Sequence, residues 1–272
     1  MKPSNNFTYW DQKRGKINSK KGGWKIGHGV FNHGYSMMDD LAGEVSYMQV
    51  MMLNVTGRLP ERRLADWIEA LHICLSWPDP RIWCNQIGAL SGVAKTSVVA
   101  ATSAGNLAMD SRAYGAKTLL DGMGFIQMAL KKYKQGISVD EIVKSASQRV
   151  GAKPVITGYA RPIAKGDERV GAMERVTKKL NYEVGEHMTL AYKIENHLYE
   201  HFSESMNING YVSAFMSDQG YTAEESYRVC AILVTSGVTA CYVDTYDNSH
   251  GVFLPLRCDD IAYKGKPYRA LP

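Results

Sequence analysis

The chain has 272 residues, 45% hydrophobic and 22% charged, with a formal net charge of +5. This composition excludes a disordered or fibrous protein and leaves room for one large domain or two modest ones. No apolar run approaches the roughly 18 residues that cross a bilayer. The first residues lack the apolar core of a signal peptide, so a cytoplasmic protein without a membrane partner is expected.

Much of the excess charge lies near the start, where Lys13, Arg14, Lys16, Lys20, Lys21 and Lys25 face only Asp11. Residues 1–24 read as a flexible basic arm rather than a nucleic-acid site, because the rest of the chain is close to neutral. The five cysteines, Cys74, Cys84, Cys230, Cys241 and Cys258, are scattered without CxxC spacing. That pattern predicts reduced core thiols, with neither a disulfide framework nor a metal.

Helix signals then dominate. Ser46 followed by Gln49 predicts a capping box that opens an apolar run ending at Gly57. A second helix is predicted over about 61–74, burying Leu64, Trp67, Ile68, Leu71 and Ile73. Trp77-Pro78-Asp79-Pro80 breaks the chain. The small-residue stretch GALSGVAKTSVVAATSAGNLA, residues 88–108, predicts one tightly packed buried helix. Ser138 and Glu141 form another capping box, for a helix running to about 150. Residues 186–202 are amphipathic, with Met188, Ala191, Ile194, Leu198 and Phe202 on one face and His187, His197 and His201 on the wet side. Thr222 and Glu225 cap an apolar helix predicted to run to about 244. Met48, Met51 and Met52 read as core filling. Strand-like alternation is rare, so the fold class is all-α.

The more polar stretch 136–180 is expected to be a small lobe set into a larger one formed by 25–135 and 181–272. It contains VITGYARPIAKGDERV, residues 155–170, a glycine-marked loop rich in arginine and acid that suits an anionic ligand. Clefts between lobes are common small-molecule sites. No glycine-rich phosphate loop occurs: Lys95-Thr96-Ser97 lacks the upstream glycines.

Four landmarks, in order, resemble citrate synthases. His33-Gly34-Tyr35-Ser36 through Gly43, with Thr56-Gly57-Arg58-Leu59-Pro60, is similar to the "RGY" and "G-x-LP" segments of that family. VITGYARPIAKGDERV resembles its "PG-aromatic-GH…D-x-R" loop, and Met206-Asn207-Ile208-Asn209-Gly210-Tyr211 its "N-V-D" segment. The ending LPLRCDDIAYKGKPYRALP is similar to the tails of short citryl-CoA lyases and of the synthase-like module of ATP-citrate lyase. The resemblance runs from about residue 25 to the C-terminus. It implies a citrate-synthase-like two-lobe helical fold and a homodimer joined through the small-residue helices. It also implies chemistry on a coenzyme A thioester and a 2-oxo acid or citrate-like carboxylate.

The resemblance also shows what is missing. An Asp base in that family corresponds here to Asn209, which has no titratable proton near neutral pH. The histidine of the loop corresponds to Arg161, which stays charged and polarises or grips rather than handing over a proton. A second histidine falls in Asp110-Ser111-Arg112-Ala113-Tyr114-Gly115-Ala116, at Arg112 or Ala113, and a substrate arginine corresponds to Val234. None of the seven histidines lies at a catalytic position of the family.

The implied substrate clamps are Arg169, Arg161 and Arg112. Thr157, Gly158 and Tyr159 are implied to meet the cofactor. Asn209, Arg161 and Tyr114 are the candidates for any catalytic role, Asn209 as an orienting group. Tyr211, Asp167 and Glu168 are further candidates for acid or base, each with a plainer reading as core or ion-pair partner. Arg169 has two open readings: an anion clamp, or a loop clasp with Asp167 or Glu168. The expected protein is an acyltransferase or lyase with an atypical site; the alternative is a non-catalytic regulator that binds a carboxylate or CoA ester.

Overall fold

The computed structural model describes residues 7–15, 17–111, 115–146, 153–161, 166–248 and 257–271. The chain forms two compact units, Met1–Ala70 with Met173–Glu183, and Leu71–Ala172 with Val184–Pro272.

In the first unit, helix α1 (Thr8–Lys13) precedes a three-stranded antiparallel sheet of β1 (Gly22–Lys25), β2 (Gly29–Asn32) and β3 (Tyr35–Ser36), in that order. The sheet pairs Trp24 with Val30 and Phe31 with Ser36. These strands are too short to leave a period-2 signal in the sequence, and the basic segment ends in one of them. Helix α2 (Tyr47–Thr56) starts on the expected capping box of Ser46 and Gln49 and stops where Gly57 turns left-handed. Met52 lies wholly in the core, as the methionine reading expects, while Met48 and Met51 are half-buried.

Helix α3 (Arg62–Leu75) buries Leu64, Ala65, Trp67, Ile68 and Leu71. Ile73, expected on that stripe, is 71% exposed. Nine residues beyond Leu64 it stands on the opposite side of a 3.6-residue helix. The buried Trp67 indole N–H donates to Thr177 Oγ1 at 2.8 Å, tying α3 to α8 (Glu168–Lys179) within this unit. The Arg63 guanidinium stacks 4.4 Å from the Tyr182 ring.

In the second unit, the stretch expected to be one buried helix is two: α4 (Trp83–Val93) and α5 (Val98–Met109). The break comes at Lys95, whose φ is +53°, and Ser97 caps the new helix by accepting from the Ala100 N–H. Small residues do let the backbones meet. A Cβ on Gly92 would stand 2.2 Å from Thr245 Oγ1, and Thr245 donates across to the Ala89 carbonyl at 2.6 Å. Yet Val98, Val99 and Leu107 are exposed, so α5 is apolar on both sides but covered on one.

The predicted helix from 222 is likewise two, α11 (Ala223–Val229) and α12 (Thr235–Asp247); its Thr222–Glu225 capping box forms as expected. Helix α7 (Val139–Ser145) starts on its capping box, while the expected end near 150 lies outside the described residues.

Helix α6 (Thr118–Lys134) lies against α9 (Glu186–Phe202), α10 (Ile208–Asp218) and α11. Helix α9 has the bounds the amphipathic stripe predicts, and Met188, Ala191, Ile194 and Leu198 are buried; Phe202, at its end, is 36% exposed. His187, expected in water, is half-buried instead, with Nδ1 2.9 Å from the Asp218 carboxylate that also caps α9. Helix α10 is buried almost throughout, which makes its first turn a rigid platform.

Among the described residues, no helix is long and apolar enough to cross a membrane.

Candidate functional site

The loop at 156–161 is built onto the start of α10. Asn207 caps that helix, its side-chain oxygen accepting from the Asn209 and Gly210 N–H groups at 2.9 and 3.3 Å. This satisfies donors that a helix start otherwise leaves open. The same side chain donates from Nδ2 to the Ala160 carbonyl at 2.7 Å. Its backbone N–H donates to the Gly158 carbonyl at 2.9 Å, and Ala160 N–H donates to Ser205 O at 2.9 Å. Tyr159 forms a β-bridge with Met206. Ala160 is thus held at both backbone groups in a left-handed conformation, φ +79°, that costs an alanine energy. Strain of this kind persists where the surroundings over-determine it. Here it aims Arg161, the next residue.

Four charges follow. The Asp167 side chain is fully buried and takes Arg169 in a two-pronged pair, Nε to Oδ1 and Nη2 to Oδ2, both at 2.7 Å. It also accepts from the Ile208 N–H at 2.9 Å, at the first turn of α10. Arg161 Nη1 lies 3.9 Å from the same carboxylate. Its two terminal nitrogens donate to Glu168, at 2.5 and 3.2 Å.

Burial acts on Asp167 most strongly and upward. The Arg169 hydrogen bonds and charge, with the Ile208 and Arg169 N–H groups, outweigh it and hold the carboxyl below its ordinary value. The hydrogen bond from Arg161 is the main reason Glu168 is lowered as well. Neither acid is a proton acceptor poised near neutral pH. Of the two open readings of Arg169, the clasp with Asp167 is the geometry observed. Its guanidinium also lies 5.9 Å from the Trp77 ring, beside a shallow cavity of about 470 Å³ lined by Trp77 to Arg81.

Asn209 sits in the first turn of α10 and donates from Nδ2 to Thr118 Oγ1 at 2.7 Å. Thr118 in turn donates to the Gly115 carbonyl. A Cβ on Gly122 would stand 2.3 Å from Asn209 Oδ1, so α6 presses directly on this amide. Its orientation is fixed, which suits an orienting group.

Tyr159 is in the core. Its hydroxyl donates to the Ala191 carbonyl at 3.2 Å, and burial pushes its pKa upward. Gly158 is buried and Thr157 half-buried. Tyr211 is 2% exposed, and Val234 is buried at the start of α12. Arg112 and Tyr114 lie outside the described residues.

The structure therefore brings Arg161, Arg169, Asn209 and Gly158 together at the start of α10. Sequence reasoning passed over Asn207, which joins loop to helix; an Asn ahead of Ile-Asn-Gly is a recognisable helix cap. Among the described residues, no group of three or more His, Cys, Asp or Glu side chains is placed to hold a metal ion.

No protein-family model matches the chain, and no curated protein matches it in sequence. Solved structures do. Citryl-CoA lyase from Hydrogenobacter thermophilus superposes with a TM-score of 0.78 at 24% identity, over 94% of this chain and 97% of that one. ATP citrate lyase from Methanothrix soehngenii, in complex with citrate and coenzyme A, gives 0.72 at 15% identity, over 97% of this chain and 45% of that one. Citrate synthase from Thermoplasma acidophilum, with carboxymethyl coenzyme A and oxaloacetate, gives 0.63 at 15%, over 84% and 59%. Likeness at these identities establishes architecture: the chain has the all-α, two-lobe, citrate-synthase-like fold.

Proposed function

We propose that the protein is a diverged relative of citrate synthase and citryl-CoA lyase. It would take a coenzyme A thioester and a 2-oxo acid or citrate-like carboxylate, and join or split a carbon–carbon bond without the Asp/His mechanism. The observation that carries this reading is Arg161, at the loop position where the resemblance expects a histidine, aimed by a strained and doubly anchored alanine that Asn207 ties to the start of α10. Nature of the side chain assigns the work: a guanidinium grips a carboxylate through two parallel hydrogen bonds.

In this reading Arg161 and Arg112 hold the carboxylate, while Arg169, already engaged by Asp167, keeps the loop in place. Thr157 and the Gly158 backbone line the thioester side, with Tyr159 as their support in the core. Asn209 orients the reacting carbonyl, and Tyr114 is left to handle the proton. The small lobe over 136–180 is part of the same proposal.

One observation favours the alternative, a non-catalytic regulator that binds a carboxylate or CoA ester. Asp167 and Glu168 are both ion-paired with depressed pKa values, so neither supplies the base that Asn209 cannot be.

Thermal unfolding with coenzyme A, acetyl-CoA, citrate and oxaloacetate, singly and in pairs, tests both readings. A ligand at about 100 times its Kd adds roughly 2.7 kcal/mol to stability, and Arg161→Ala should remove the carboxylate-dependent part. A shift with a thioester plus a carboxylate, followed by turnover, supports the enzyme. A carboxylate shift without turnover supports the regulator. No shift with any of them sinks both.

The fold also motivates a homodimer through α4 and α5, whose Leu90, Val98, Val99 and Leu107 are exposed and apolar. Sedimentation should give twice the chain mass, and a monomer at micromolar concentration would reject it.

A further inference from the structure

We propose that Glu168 is a built-in counter-anion for Arg161, occupying the guanidinium that an incoming carboxylate must take over. The inference rests on the reading of Arg161 as the ligand's anchor and adds how that anchor is regulated.

The geometry separates the two acids of the loop. Asp167 is committed: its side chain is fully buried, bonded twice to Arg169 and once to the Ile208 N–H. Removing it strands the half-buried Arg169 cation. Glu168 is different. Its side chain is 60% exposed, while Arg161 is 12% exposed. Its two oxygens face the two terminal nitrogens of Arg161, the arrangement a ligand carboxylate would adopt.

Glu168 also lies in the first turn of α8, where a carboxylate is favoured by the helix dipole whether or not it touches Arg161. Release from the guanidinium therefore leaves it solvated and still compensated. Water reaches the Glu168 side of the pair, and exchanging one carboxylate for another on the same guanidinium is close to balanced. The middle position of the loop's D-x-R landmark thus sets a threshold for binding. A ligand gains from Arg161 only what exceeds the contact with Glu168.

The test is phenylglyoxal modification, read at Arg161 and Arg169 by peptide mass mapping in the wild type and Glu168→Gln. Glutamine keeps the size of the side chain and removes its charge. Arg161 should react roughly fivefold faster in the variant, the equilibrium weight of an ion pair worth about 1 kcal/mol, with Asp167 still 3.9 Å away in both proteins. Arg169, held by Asp167, should be unchanged and so reports an intact loop. Equal rates at Arg161 in the two proteins overturn the proposal. Adding citrate or oxaloacetate should slow Arg161 modification at lower concentration in the variant than in the wild type. Faster modification that no carboxylate or CoA ester slows would uphold the Glu168 contact and overturn the ligand reading on which exchange depends.

Discussion

Asp167→Ala is expected to lower the free energy of unfolding by about 3–5 kcal/mol, the cost of breaking a buried ion pair by removing one partner. Three things happen at once. Arg169, 14% exposed, keeps its charge and loses both of its 2.7 Å bonds. The Ile208 N–H loses its acceptor at a buried helix start. The segment joining loop to α8 loses the N–H bond from Arg169 that turned it.

Burial is the largest single influence on Asp167 and opposes its charge. The intact pair therefore adds little compared with an apolar replacement of both partners, and the double variant Asp167→Leu with Arg169→Met should recover much of the loss. The sign with pH follows. The folded-state pKa is depressed, so the contribution is complete above the ordinary value of 3.8 and is lost as pH falls below it. Urea denaturation of the single and double variants at neutral pH checks the magnitudes. A single-variant loss under about 1 kcal/mol would place this clasp among surface pairs instead.

Gly158→Ala should cost about 2–5 kcal/mol and uncouple the anchor from the helix. Two effects add. The backbone at Gly158 has φ +102°, which an L side chain resists by roughly 1–2 kcal/mol. A Cβ there would stand 2.7 Å from the Gly210 Cα, so the loop must lift off α10, an overpacking cost of about 1–3 kcal/mol. Lifting it stretches the Asn207 N–H bond to Gly158 and releases the strained turn at Ala160. Any carboxylate-dependent thermal shift should fall with stability. Gly136→Ala is the control, since φ is +87° there with nothing within 4 Å of a new Cβ. If the two variants unfold alike, close approach of the glycines is not what fixes the loop.

These contacts explain which parts of the molecule the sequence announces. Capping boxes at Ser46, Ser138 and Thr222 are local chemistry, written within four residues, and all three form. Helix α9 shows itself because one face is covered and the other is wet. The breaks at Lys95 and between α11 and α12 left no such mark. The small and apolar residues on either side suit one helix or two, and packing of α12 against α4 and α5 decides. Ile73 was misplaced for a simpler reason, since its apolar character outweighed its angular position.

At the site, the arginine and acid content of the loop pointed to ion pairing, but not to which acid takes which arginine. That is settled by burial, with Asp167 turned inward to Ile208 and Glu168 left at the surface. The capping half of Asn207 was legible in the sequence, but its bond to Ala160, 47 residues away, left no local mark.

The pairing of Arg161 with Glu168 and of Arg169 with Asp167 has an effect at long range. From more than a few ångströms away these four side chains carry almost no net charge, which leaves Lys165 as the remaining charge of the loop, and much of the chain's positive excess lies near the start of the sequence. A negatively charged metabolite diffusing past is drawn little by these four paired groups. Added salt, which slows steered association, has little to screen in the paired groups themselves.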